Sequence, residues 1–141
     1  MSIVLIDTDV FSALYVAPEQ AEKRGLPVAE WRDLLAGKHV FISFQTRAEV
    51  LAGLRASNWG ERRLTAARMK LDTAHTVGVD EQVIDAFAGL TAECRRTGHG
   101  LHHKIHTGDR WVAATAMAKG LPLLAGDRIY RAAPGLTLLG E

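Results

Sequence analysis

"IVLIDTDVFSALYV", residues 3–16, sets a run of four apolar residues directly before an aspartate and a short amphipathic segment. Ile3–Ile6 has β-branched members and no polar one, which predicts a strand buried on both faces rather than one wetted at alternate positions. The stretch from Thr8 to Val16 predicts a helix. A strand passing straight into a helix is the opening unit of an α/β fold.

The rest of the chain repeats that unit. Pro27 suits the first position of a helix, "PVAEWRDLLA" (27–36), because its missing N–H would be unpaired there anyway, and Gly37 stops it. "HVFIS" (39–43) predicts a second strand. Residues 45–57 predict a helix and "ERRLTAARMKLD" (61–72) another, joined as a hairpin across the break at 58–60. "HTVGV" (75–79) predicts a third strand. Asp80 caps a long helix in which Val83, Ile84, Phe87, Leu90 and Cys94 fall on one face, and Gly98 ends it. After a histidine-rich loop, a helix opening at "TGDRWVAATAMAKG" (107–120) leads into "LPLLAG" (121–126) as a fourth strand and "LTLL" (136–139) as a fifth. Strands separated by helices pair mostly in parallel through right-handed crossovers, with helices on both faces. The expected fold is therefore three-layer α/β/α with a central, mostly parallel sheet of four to five strands.

Bulk properties narrow the function. A chain of 141 residues fits one compact domain, 1–141. With 17 basic against 16 acidic side chains, any preference for nucleic acid must be local rather than global. The single cysteine, Cys94, forms no internal disulfide, and the apolar start is too short for a secretory signal, so the reducing cytoplasm is the expected home. No stretch reaches the roughly 18 apolar residues of a membrane span, and no membrane partner is expected.

In open parallel sheets, ligands bind outside the carboxyl ends of the strands. Asp7 follows the first strand, Asp127 follows the fourth, Glu49 lies one turn into the helix after the second, and Asp109 starts the helix leading to the fourth. Four carboxylates thus point to one cleft. Clustered carboxylates repel, and one must take a proton unless a cation is present. A hard divalent ion such as Mg²⁺ prefers oxygen ligands, keeps several waters and leaves room for phosphate oxygens and an attacking water. The chemistry implied is phosphodiester hydrolysis. The chain offers no G-x-S-x-G, no activated cysteine and no Gly-rich phosphate loop as a competing centre.

"LIDTDVFSAL", "RAEVLAGL", "TGDRWVAATA" and "LLAGDRIYRAAPGLTLL", in that order and spacing, resemble the successive motifs of a PIN domain, and more closely those of VapC-type toxins. The resemblance implies an endoribonuclease dependent on Mg²⁺ or Mn²⁺, leaving a 5′-phosphate and held inactive by a cognate VapB-type antitoxin. It further implies a homodimer, and a tRNA, rRNA or mRNA substrate. Asp7, Glu49 and Asp109 match the family's three best-kept acids and Asp127 the fourth. Two positions depart from the pattern: Ala125 stands where Thr or Ser is common, and Asp9 stands where Ser or Asn is common, which adds a fifth carboxylate or caps the first helix.

Each acid also has a plainer role open to it. Asp7 suits a turn or cap, Glu49 fits a capping box opened by Thr46, Asp109 suits a helix N-terminus, and Asp127 suits a Gly-Asp turn. In "HGLHHKIH" (99–106), four histidines fit no usual zinc spacing, and a polar loop beside the cleft is the simpler assignment, with Lys104 and Arg110 placed to touch phosphates. Arg55, Arg62, Arg63, Arg68 and Lys70 around Trp59 make a basic tract suited to RNA, to a partner or simply to solvent. Trp111 reads as core or dimer packing. Two other functions compete. "LIDTDV" also satisfies the strand-D-x-D start of haloacid-dehalogenase-type phosphatases, with Asp7 as nucleophile, although no further acid follows Asp127 closely. A non-catalytic RNA-binding module of the same fold is the other.

Overall fold

The computed structural model describes residues 2–141. Its strands are β1 (Ile3–Ile6), β2 (His39–Ser43), β3 (His75–Val77) and β4 (Leu123–Leu124), all parallel, in the order β3-β2-β1-β4. β1 is paired on both sides, which is why its sequence is apolar throughout. Successive side chains go to opposite faces. Val4, Ile6, Ile42 and Leu124 enter one core with α1 (Thr8–Phe11), α2 (Pro18–Lys23), α3 (Val28–Leu35), α4 (Phe44–Ala56) and α5 (Glu61–Thr73). Leu5 and Leu123 enter the other with α6 (Glu81–Thr97) and α7 (Thr107–Lys119). The three layers expected from the alternation are present.

Local differences have local causes. The first predicted helix is two pieces: α1 widens into a π turn over Ser12–Val16, where the Ala17 N–H reaches back five residues to the Ser12 carbonyl (2.9 Å), and Pro18 then opens α2, which the periodicity did not reveal. Pro27 precedes α3 rather than occupying its first turn. Ser43 ends β2 and also caps α4, its hydroxyl accepting from the Thr46 N–H (3.1 Å). β3 stops at Val77, short of Val79, which is exposed. The fifth strand shrinks to one bridge, Leu123 with Leu138, because β4 is only two residues long. On α6, Val83, Leu90 and Cys94 are buried and Phe87 stacks on Trp111 at 3.8 Å, but Ile84, about 100° round the helix from Val83, faces solvent.

These elements bring the carboxyl ends of β1, β2 and β4 together. Ile6 is in register with Leu124, and the Asp7 N–H donates to the Leu124 carbonyl at 3.0 Å. The residue after β1 and the loop after β4 are thereby fixed to one another.

Candidate functional site

Asp7 is 2% exposed at the end of β1. It is the N-cap of α1: one carboxylate oxygen accepts from the Val10 N–H (2.8 Å) and the other from the Gly126 N–H (3.0 Å). Burial nevertheless pushes its pKa up to about 7, outweighing those two hydrogen bonds, and the negative charges of Asp9 and Asp109 add to the rise. The plain capping role and an electrostatically uncomfortable carboxylate therefore coexist in one residue.

Glu49 projects from the second turn of α4. Its partner is the Thr8 hydroxyl, which donates to Oε2 and also lies 3.0 Å from the buried Thr46 hydroxyl. Thr46 sits inside α4 rather than at its cap, so the expected capping box does not form. Gly108, in the first turn of α7, lets Glu49 come close: a Cβ there would stand 3.0 Å from Glu49 Oε1 and 2.9 Å from Gln45 Nε2. Next along α7, Asp109 makes no capping bond. Its Oδ2 accepts from His106 Nδ1 (2.8 Å) and its Oδ1 from the Tyr130 hydroxyl (3.2 Å).

Asp9, in the first turn of α1, does not cap; it is exposed. Its pKa is raised by partial burial first, then by Asp127, Asp109 and Glu49, with Arg24 opposing. It is the position from which the remaining acids are felt together. Gly126 is pressed against it, since a Cβ there would meet Asp9 Cβ at 3.1 Å and the Trp31 ring at 3.3 Å. Asp127 caps a single 3₁₀ turn, Arg128–Tyr130, accepting from the Ile129 N–H at 2.9 Å.

Five carboxylates thus share one edge of the sheet, and among them Asp7 and Asp9 have raised proton affinity. The donor set is oxygen throughout and suits a hard divalent cation. Such an ion would relieve the desolvated charge of Asp7, the most strained member. Among the described residues no three acid, histidine or cysteine side chains stand close enough to hold one ion as they are. Asp7, Glu49, Asp109 and Asp127 each accept a hydrogen bond from a protein donor.

The PIN-domain family model matches residues 4–136, nearly the whole chain and every element carrying these acids. The chain belongs to the PIN-domain family. This PIN domain is similar to Ribonuclease VapC4 of Mycobacterium tuberculosis, 29% identical over 110 residues, which cover 76% of this chain and 81% of that protein. It is also similar to the plasmid stability protein StbB of Pseudomonas syringae pv. tomato, 27% identical over 143 aligned residues covering 97% and 96%. Among solved structures, VapBC2 from Rickettsia felis bound to a promoter DNA fragment superposes with a TM-score of 0.74 at 19% identity over 96% of both chains, a likeness of fold alone. Membership in this family sets aside the phosphatase alternative.

Elsewhere the PIN domain departs from expectation. Arg110 does not reach toward a phosphate; it is 6% exposed, its guanidinium donating to the carbonyls of Leu101 and His103 and to the Thr107 hydroxyl. An arginine one residue from an acid reads as a phosphate contact in sequence, but on a helix that step turns it inward. Lys104 is exposed in a short turn, Lys104–His106. The four histidines do not converge: His99 bonds the Arg131 carbonyl, His102 and His103 lie ring to ring at 4.0 Å, and His106 serves Asp109. In the basic tract, the Arg63 guanidinium covers the Trp59 ring at 3.4 Å and Arg68 pairs with Asp72, both at the exposed surface. Trp111 packs between Phe87 and Phe44. Sequence reasoning passed over Thr8, Gly108 and Tyr130. T-D after an acid, and G-D before a helix, were visible; the tyrosine carried no local signal.

Proposed function

We propose that this PIN domain is an endoribonuclease working with Mg²⁺, or Mn²⁺ as a substitute, and that it is the toxin of a VapBC-type pair neutralised by a VapB-type antitoxin. The observation that carries this is the set of acids at the carboxyl ends of β1, β2 and β4, all oxygen donors, centred on a buried Asp7 that burial and its neighbours push toward neutrality. The relative named Ribonuclease VapC4 supports the choice of RNA, and the VapBC complexes among its structural neighbours support the antitoxin.

Asp7 and Asp109 would be the principal ligands, with Glu49 and Asp127 completing the set directly or through water and Asp9 adding charge. A divalent ion held by these carboxylates would supply Lewis acidity toward the phosphodiester and lower the pKa of a bound water. The protein's own part is to hold the carboxylates: Gly126 and Val10 amides fix Asp7, Thr8 fixes Glu49, and His106 and Tyr130 fix Asp109. Water adds to phosphorus as the bond to the 3′ oxygen breaks, leaving a 5′-phosphate and a 3′-hydroxyl. Lys104, exposed near the start of α7, is placed for the RNA backbone. The protein acts in the cytoplasm as a homodimer.

The test is cleavage of an end-labelled RNA pool by antitoxin-free protein. Cleavage is expected with Mg²⁺ or Mn²⁺, none in EDTA, and none from Asp7→Asn or Asp109→Asn. Equal cutting by both variants would remove the acids from the reaction.

A further inference from the structure

We infer that the histidine-rich loop and the C-terminal turn together form a two-sided holder for Asp109, in which Tyr130 and His106 are positioning residues for that carboxylate. This rests on the ribonuclease reading above and deepens it.

Asp109 is the third residue of α7, where a carboxylate ordinarily turns back to free first-turn amides. Here it does not. Both oxygens leave the helix, one to a phenol and one to an imidazole, from elements on either side. Tyr130 is 2% exposed in the core with Leu5, Leu90, Leu101 and Val112, and its hydroxyl's hydrogen bond is the one to Asp109. A buried position with no acceptor would be filled better by phenylalanine, since an unpaired hydroxyl costs free energy there. The hydroxyl therefore matches the carboxylate.

Both holders are themselves held. The turn bearing Tyr130 is capped at its start by Asp127 and tied after its end, where His99 Nε2 donates to the Arg131 carbonyl at 2.8 Å. His99 can donate from Nε2 because its Nδ1 accepts from the Leu101 N–H (3.1 Å), which fixes the tautomer. Arg110 clamps the same loop through the Leu101 and His103 carbonyls. Against an ionised carboxylate, His106 Nδ1 must be the donor. His106 directly, and His99 through the turn bearing Tyr130, thus frame one acid, and Asp127 acts on Asp109 through the turn it caps.

Partners of this kind, one bond removed from a metal ligand, typically change metal affinity or activity 10–100-fold when lost. The experiment uses the full chain with Tyr130→Phe, His106→Ala and His106→Asn, and reads Mn²⁺ affinity from the paramagnetic resonance of free ion, kcat and KM on a labelled RNA, and Tm. Tyr130→Phe is expected to bind Mn²⁺ about tenfold more weakly and to lose kcat in proportion, with KM and Tm little changed. His106→Ala is expected to do the same, and His106→Asn, whose amide can donate from nearly the Nδ1 position, to recover part of the loss. Wild-type Mn²⁺ affinity and kcat in both Tyr130→Phe and His106→Ala would overturn the inference, as would losses that only track a fall in Tm. Should Tyr130→Phe not fold, the His106 pair decides alone: an alanine variant equal to wild type overturns it. If the wild-type protein binds no Mn²⁺ and cuts no RNA, the ribonuclease reading itself has failed, a result distinct from unaltered variants of an active enzyme.

Discussion

Asp7 concentrates the electrostatics of the site. Its pKa of about 7 in the folded chain lies above the ordinary carboxylate value, so between about pH 4 and pH 7 the folded state holds a proton that the unfolded chain releases. Stability of the metal-free protein is therefore fully present below pH 4 as far as this group is concerned, and is lost as pH rises through 7. Thermal melts in EDTA should show Asp7→Asn gaining several degrees over wild type at pH 8 and a much smaller gain at pH 4.5, where folded wild-type Asp7 is already neutral. A gain that does not depend on pH would contradict the burial argument. Asparagine also turns an NH₂ toward one of the two backbone amides that the carboxylate accepts from, but that conflict is the same at both pH values, so the difference between them isolates the charge. Gly108 gives a complementary test. A Cβ there meets only the tips of Gln45 and Glu49, which can yield, while alanine favours the helix. Gly108→Ala is expected to keep or raise Tm and to lower RNA cleavage several-fold by displacing Glu49; unchanged cleavage would separate Glu49 from the reaction. The positions of the acids were legible in the sequence because Asp7 and Asp127 follow strands, Asp109 opens a helix and Glu49 lies one turn into another. Their partners were not, because Tyr130 and Thr8 meet Asp109 and Glu49 only through the fold.

At the level of elements, β1 was readable because burial on both faces leaves an apolar run with no alternation, and α6 because its caps, Asp80 and Gly98, are where propensity puts them. α2 and the π turn before it were not: the expected helix stops at Val16, a π turn leaves the amphipathic pattern of 8–16 unbroken, and Pro18–Lys23 buries only Ala21, too little to show a period. The fifth strand failed for the opposite reason: "LTLL" has the composition of a strand, but only Leu138 finds a partner beside the two-residue β4. The loop between α6 and α7 is where sequence and structure diverge most in meaning. Arg110, exposed in expectation, is buried and holds two carbonyls of that loop. Arg110→Met is expected to lower Tm by several degrees, because two buried carbonyls lose their donor; lower RNA affinity at unchanged Tm would restore its reading as a phosphate contact.

For the whole molecule, near-neutral net charge means that any polyanion must be attracted locally, and the acidic edge repels one unless cations are bound. No helix among the described residues is long and apolar enough to cross a membrane. Expression of the protein alone is expected to arrest growth, and co-expression with a cognate antitoxin to relieve it; equal growth of the two strains would argue against the toxin assignment. The central claim is narrower than any of this: carboxylates brought together by three strand ends exist to bind a hard ion. Calorimetric titration of the metal-free protein with Mn²⁺ tests it directly. The account predicts saturable heat for wild type and none for Asp7→Asn combined with Asp109→Asn; no heat from wild type, or the same heat from the double variant, would contradict it.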